Sequence, residues 1–142
     1  MFSGQYQYRL DNKGRVPLPP RFREGFKAGL VLARGVALCV QLHPKDQWDD
    51  TTRALFQAQR TPDRNETLAR YIYSTTQEAD MDSAGRVMVP PPFRAYANLG
   101  NDVIVVGAGR YLELWDLATW QSNFGGLEQE AKRLLRGLEA QE

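Results

Sequence analysis

Asp11-Asn-Lys-Gly-Arg-Val-Pro-Leu-Pro-Pro-Arg-Phe-Arg23 decides the fold, because the chain contains it twice. Shifted by 71 positions it returns as Asp82-Ser-Ala-Gly-Arg-Val-Met-Val-Pro-Pro-Pro-Phe-Arg94, identical at eight of thirteen places: Asp11, Gly14, Arg15, Val16, Pro19, Pro20, Phe22 and Arg23. The correspondence continues at a shift of 72, where Gly35 lies opposite Gly107 and Val40–Trp48 opposite Leu112–Trp120. Solenoids need at least three repeats to bury a continuous core, so two copies mean a duplicated module.

Reading outward from the repeat, residues 5–10 alternate, with Tyr6, Tyr8 and Leu10 on one side and Gln5, Gln7 and Arg9 on the other. That period of two predicts a half-buried strand. Asp11-Asn12-Lys13-Gly14 predicts a tight turn in which Gly14 takes a positive φ. Arg15–Leu18 resumes an extended path, since a residue before proline is held out of helix. Pro19 and Pro20 then open a short helix with Phe22 and Phe26 on one face. Leu30–Ala33 and Val36–Leu42 read as strands around an Arg34-Gly35 turn. Trp48, Leu55, Phe56 and Gln59 follow a helical period, and Thr61-Pro62 starts a second helix with Leu68, Tyr71 and Ile72 as its stripe.

The second copy repeats the plan with strand Gln77–Met81, a turn, a strand, a proline-capped helix over Phe93–Ala97, and strands Val103–Val106 and Tyr111–Trp115. Asp116 caps a short helix ending at Gly125-Gly126, and 127–139 forms an amphipathic helix with Leu127, Ala131, Leu134, Leu135 and Leu138 on one side. The expected architecture is α+β: two tandem β-turn-β-helix-β-β modules over 5–48 and 76–120, a helical connection over 49–75, and a C-terminal helix over 121–142. Isolated hairpins are marginal in water, so two such modules are expected to complete each other's sheet and core.

Composition excludes more than it assigns. A net charge of +1 points to no partner, and the seven cations of Arg9–Arg34 against Asp11 and Glu24 read on charge alone as a solvated face, although such a local surface can hold a polyanion. One cysteine (Cys39) and one histidine (His43) leave too few ligands for a Cys/His zinc site, and no metal, cofactor or small-molecule substrate is expected. The N-terminal residues lack the apolar run of a signal peptide and no segment approaches a membrane span, so the chain reads as cytoplasmic. Val106-Gly107-Ala108-Gly109 superficially suggests a dinucleotide loop. Leu112 stands where the third glycine belongs, and the following residues alternate like a strand, so it reads as a hairpin turn. Asp49-Asp50 and Glu128/Glu130 have no activated nucleophile nearby, and no catalytic set emerges. Trp48 and Trp120, at matching places, read as core or interface anchors.

The Asp-x-x-Gly-Arg turns are the sharpest functional signal. A glycine turn followed at once by arginine presents a guanidinium from rigid backbone, suited to bidentate recognition of guanine edges or phosphates. Asp11 and Asp82 are placed to accept from those arginines and orient them. The candidate site is therefore Lys13, Gly14, Arg15, Gly85 and Arg86, oriented by Asp11 and Asp82. Lys13 faces Ala84 in the second copy, so the first loop should attract a polyanion more strongly.

These residues resemble the MraZ family of bacterial transcription regulators. The resemblance rests on Met1-Phe2-x-Gly4-x-Tyr6, Leu10-Asp11-x-Lys13-Gly14-Arg15, Pro19 and Phe22-Arg23. In the second half it rests on Asp82-x-x-Gly85-Arg86-Val87, Pro90, Tyr96-Ala97, Val105-Val106-Gly107 and Glu113-x-Trp115. It implies an AbrB-like swapped-hairpin pseudo-dimer, ring-shaped homo-oligomers, nucleoid association, and binding of double-stranded DNA at short direct repeats upstream of the division and cell-wall gene cluster, its own gene included. A competing expectation is an AbrB-like protein-interaction or antitoxin module. Such antitoxins usually carry one copy and a disordered tail, where this chain reads as two copies and a helix.

Overall fold

The computed structural model describes residues 1–58 and 61–140. Eight strands run β1 (Gln5–Arg9), β2 (Arg15–Pro17), β3 (Leu30–Arg34), β4 (Val40–Pro44), β5 (Gln77–Ala79), β6 (Arg86–Met88), β7 (Asp102–Gly107) and β8 (Leu112–Asp116). The α-helices are α1 (Trp48–Gln57), α2 (Pro62–Thr75), α3 (Pro91–Tyr96) and α4 (Leu117–Ala140), with a 3₁₀ helix over Pro20–Phe26. The protein is α+β, with helices between and after two groups of antiparallel strands.

Six strands form one antiparallel sheet in the order β1-β7-β8-β4-β3-β5. Each module thus gives its first strand to the other: β1 pairs with β7 from Gln5 opposite Val106 to Arg9 opposite Asp102, and β5 pairs with β3. The two hairpins join through β4 and β8, where Gln41 lies opposite Glu113. The remaining strands, β2 and β6, leave this sheet and pair with each other as a two-stranded ribbon.

The core lies between that ribbon and one face of the large sheet. Val16, Leu18, Val87 and Val89 descend from the ribbon onto Leu30, Leu32, Val40, Leu42, Val103, Val105, Leu112 and Leu114, and Phe22, Phe26 and Phe93 close the sides. The opposite face carries Ile104, Val106 and Trp115 under Trp120 of α4. Because both faces are covered, β7 reads as an unbroken apolar run. Tyr6 and Tyr8 pack against the core from β1, as alternation requires.

Several boundaries differ from the sequence reading. β4 begins at Val40, because its pairing with β3 ends at Arg34 opposite Val40, and residues 35–39 close the turn with Gly35 N–H donating to Cys39 O. Val36 and Leu38 are consequently exposed loop residues despite their strand-like chemistry. Helix α4 does not stop at Gly125-Gly126. It is continuous for 24 residues, since glycine lowers helix propensity without forbidding helix and no proline follows. Asp116 does cap it, accepting from Thr119 N–H at 3.2 Å. Thr61 occupies the cap position of α2 with extended backbone and no side-chain bond, while Pro62 opens the first turn. Gln59 lies outside the described residues. The Gly107–Gly109 segment is a hairpin turn between β7 and β8, with Ala108 N–H donating to Tyr111 O.

Candidate functional site

The two repeated turns meet at the ribbon. In β2 and β6, Val16 lies opposite Val87, Arg15 opposite Met88 and Pro17 opposite Arg86. Side chains alternate across a strand, so the fully buried valines send Arg15, Pro17, Arg86 and Met88 to the outer face. Two further backbone bonds carry the pairing into the turns, from Val89 N–H to Gly14 O and from Leu18 N–H to Gly85 O.

Each turn is built by one aspartate. Asp11 Oδ1 accepts the backbone N–H groups of Lys13 and Arg15, both at 2.9 Å, and Oδ2 accepts Arg15 Nε at 2.6 Å. Asp82 does the same for Ala84, Arg86 and Arg86 Nε, all at 2.9 Å. One carboxylate therefore folds the backbone and aims the guanidinium together. The bond uses Nε, leaving both Nη groups of Arg15 without a hydrogen bond or ion pair among the described residues. Hydrogen bonds from Arg15, backbone first, hold the Asp11 carboxyl down at about 2, and those from Arg86 lower Asp82. Both aspartates are ionised at any ordinary pH.

The loops also touch one another. Arg86 Nη1 stands 3.9 Å from Asp11 Oδ2, so Asp11 faces both arginines. Lys13, at the tip, is exposed and in no ion pair among the described residues. The structure thus brings Asp11, Arg15, Asp82 and Arg86 together, with Lys13 at the margin.

Gly14 and Gly85 have φ of +77° and +76°, the left-handed region. A Cβ on Gly14 would overlap the end of the Arg94 guanidinium, and one on Gly85 would overlap the Arg23 side chain from Cδ to Cζ. Each turn therefore rests on an arginine from the opposite module. Arg94 Nη1 donates to Val89 O at 2.6 Å and Arg23 Nε donates to Leu18 O at 3.0 Å. The sequence reading counted Arg23 in the basic cluster and among the residues that carry the resemblance, and gave Arg94 no role. Their identity in both copies, eight positions after the Gly-Arg turn residues, was the available signal. With them, five cations (Lys13, Arg15, Arg23, Arg86 and Arg94) stand around two carboxylates, a positive cluster on an otherwise near-neutral protein.

Among the described residues no group of three or more His, Cys, Asp or Glu side chains could hold a metal, and no helix is long and apolar enough to cross a membrane. Cys39 is buried, and burial together with the Glu113 carboxylate pushes its thiol far above the usual range.

A family model described as "MraZ protein, putative antitoxin-like" matches residues 1–70 and 72–135, nearly the whole chain and both modules. The chain belongs to the MraZ family. Among curated MraZ relatives, one from Dehalococcoides mccartyi is 35% identical over 98% of this chain and 99% of its own length. One from Thermus thermophilus is 40% identical over 82% of this chain and 83% of its own, and one from Kineococcus radiotolerans is 41% identical over 90% of each. All three carry the name "Transcriptional regulator MraZ".

Proposed function

We propose that the protein is a sequence-specific DNA-binding transcriptional regulator that reads double-stranded DNA through the Asp11–Arg15 and Asp82–Arg86 loops. The observation that carries this reading is the ribbon's outer face, with two aspartate-held arginines on adjacent strands. A two-stranded antiparallel ribbon is one of the two elements that B-DNA's major groove admits, and a bidentate arginine is the commonest reader of guanine O6 and N7. Met88, 49% exposed beside Arg15, supplies an apolar contact of the kind a thymine methyl accepts. Lys13 and neighbouring basic residues bind phosphates, which position without specifying. The regulator names of the relatives support the same reading and a non-enzymatic role.

The finer features follow from the family resemblance: an operator of short direct repeats upstream of the division and cell-wall gene cluster, a ring-shaped homo-oligomer that engages it, and a place at the nucleoid. Direct repeats suit subunits related by rotation around a ring, and linking weak sites raises avidity by about 10²–10⁴. The division into units keeps 5–48 and 76–120 as the reading modules, 49–75 as their connection and 121–142 as the C-terminal unit, although α4 itself runs Leu117–Ala140 and residues 59, 60, 141 and 142 lie outside the described residues.

The test is a salt-series titration on probes carrying one, two and three repeats, with wild type and the Arg15→Ala/Arg86→Ala double variant. Affinity should climb steeply with repeat number, the slope of log K against log salt growing by about 0.9 for each added phosphate contact. The double variant should bind all probes, and unrelated DNA, equally weakly. If it keeps wild-type discrimination, the loops do not read sequence. A protein-binding, antitoxin-type module would instead show no operator preference in wild type.

A further inference from the structure

The two strands of the β2–β6 ribbon are related by a local two-fold axis. Their register centres on Val16 opposite Val87, so a half-turn about that pair carries Arg15 onto Arg86 and Pro17 onto Met88. The buried valines and the two arginines are matched by identical counterparts. On the two strands the match fails at one position, Pro17 against Met88. Pro17 is half-buried and its ring is tied to the backbone. Met88 is half-exposed on an unbranched, flexible stem, and it packs in neither apolar cluster of the protein.

A ribbon that was fully symmetric could not tell direction. Turned by half a rotation about its axis, it would offer a DNA site the same two guanidiniums at the same places. Lys13 opposite Ala84 does not resolve the two orientations at the level of bases, because a lysine finds a phosphate either way round and carries no sequence information. A direct repeat, unlike a palindrome, has a direction. The chain that reads it needs a base contact present beside one arginine and missing beside the other.

Met88 has the chemistry for such a contact. Opposite residues of an antiparallel pair share a face with Cβ atoms about 4.5–5.5 Å apart, so Met88 stands directly beside Arg15. That separation lies between one and two base-pair steps of about 3.4 Å. Met88 therefore reaches a base pair next to, or one removed from, the guanine that Arg15 takes. A thioether donates no hydrogen bond and accepts only weakly, so the amino and carbonyl groups of the groove offer it little. On the major-groove edge of unmodified base pairs, the apolar group is the 5-methyl of thymine.

We propose that Met88 sets the direction in which the chain reads its site, by packing on the methyl group of a thymine beside the Arg15 guanine, with no equivalent beside the Arg86 guanine. This role rests on the DNA-reading function of the loops proposed above, and adds to it the base that is read and the side on which it lies.

The experiment titrates wild type, Met88→Ala and Arg15→Ala against single-repeat duplexes. Each thymine is replaced in turn by deoxyuridine, which removes only the methyl, and each guanine by 7-deazaguanine, which removes the N7 acceptor. Wild type should lose about fourfold in affinity at one thymine, the size expected of one buried methyl group. That thymine should lie within two base pairs of a guanine whose 7-deaza form weakens wild type but not Arg15→Ala. Met88→Ala should bind the thymine and uracil probes alike and keep its sensitivity to 7-deazaguanine. On a two-repeat probe with one repeat inverted in place, wild type should bind more weakly than to the direct pair, and Met88→Ala should narrow that gap by about the same factor. Indifference of wild type to uracil at every thymine, or uracil sensitivity retained in Met88→Ala, overturns the proposal. A gap as wide in Met88→Ala as in wild type overturns the directional role. Indifference of wild type to 7-deazaguanine at every guanine sinks the arginine reading itself, a separate outcome.

Discussion

In the first module Asp11 holds its own Arg15 at 2.6 Å and stands 3.9 Å from Arg86 of the other loop, while Lys13 extends the tip. In the second, Asp82 holds Arg86 at 2.9 Å and Ala84 sits where the lysine would be. The backbone of the two turns is the same to within a degree in glycine φ and carries the same set of aspartate bonds. The modules diverge again on the far face of the sheet. There His43 stacks on Tyr111 at 4.8 Å and lies tilted against Trp48 at 4.9 Å, while its counterpart Trp115 packs on Trp120. The duplication kept the geometry that aims an arginine and let the charge around it and the packing behind it drift apart.

The largest expected effect tests the packing difference. Burial drives the His43 pKa down from 6.5 to about 4. A histidine whose folded pKa is depressed contributes stability that is complete above pH 6.5 and is lost as the pH falls toward 4, in total about 3 kcal/mol. Chemical denaturation should show that loss in wild type, and His43→Phe should flatten it. An unchanged pH profile in the variant would place the acid-sensitive group elsewhere and remove this asymmetry between the modules. Asp11 does not confuse the measurement, because its own window runs from about 3.8 down to about 2.

A smaller effect separates the two glycines. Alanine at either position is strained by the positive φ, at a cost of about 1–3 kcal/mol. At Gly14 the new methyl meets the far end of Arg94, which can turn aside at the loss of its bond to Val89 O. At Gly85 it meets Arg23 along its length from Cδ to Cζ, so more of the side chain must move and its bond to Leu18 O is lost as well. Gly85→Ala should therefore melt at a lower temperature than Gly14→Ala. The reverse order would mean that the turns are not supported as the geometry indicates.

The smallest effect concerns the tips. Arg15→Ala and Arg86→Ala should each weaken operator binding by about 1–3 kcal/mol, Arg15→Ala by more. Lys13→Ala should flatten the salt slope by about 0.9 and erase most of that difference. Equal losses for the two arginines in the presence of Lys13 would show that the lysine contributes no attraction, and the loops would then be functionally equivalent.

Local chemistry carried much of this structure into view. The repeat, the Asp-x-x-Gly-Arg turns and the alternation of Tyr6 and Tyr8 are governed by neighbouring residues, and the chain order shows them directly. The exchange of β1 and β5 between modules was expected in outline, but no periodicity names a strand's partner, because alternation is the same whichever edge it joins. The loop at 35–39 misled for a related reason. Val36 and Leu38 have strand chemistry, and the register with β3 overrides it. Gly125-Gly126 reads as a stop by propensity, a weak preference that the rest of α4 outweighs. The support that Arg23 and Arg94 give to the opposite turns depends on tertiary approach alone.

The exchanged strands also set a timetable for biosynthesis. Gln5 emerges from the ribosome about a hundred residues ahead of its partner Val106. At about 5–20 residues per second, the first strand spends on the order of 5–20 s without its place in the sheet. During that interval β3 and β4 can form their hairpin, but both edges of the hairpin stay open until β5 and β8 are made. The nascent chain must therefore carry unpaired strands over that span, and the sheet can close only with the arrival of β7 and β8.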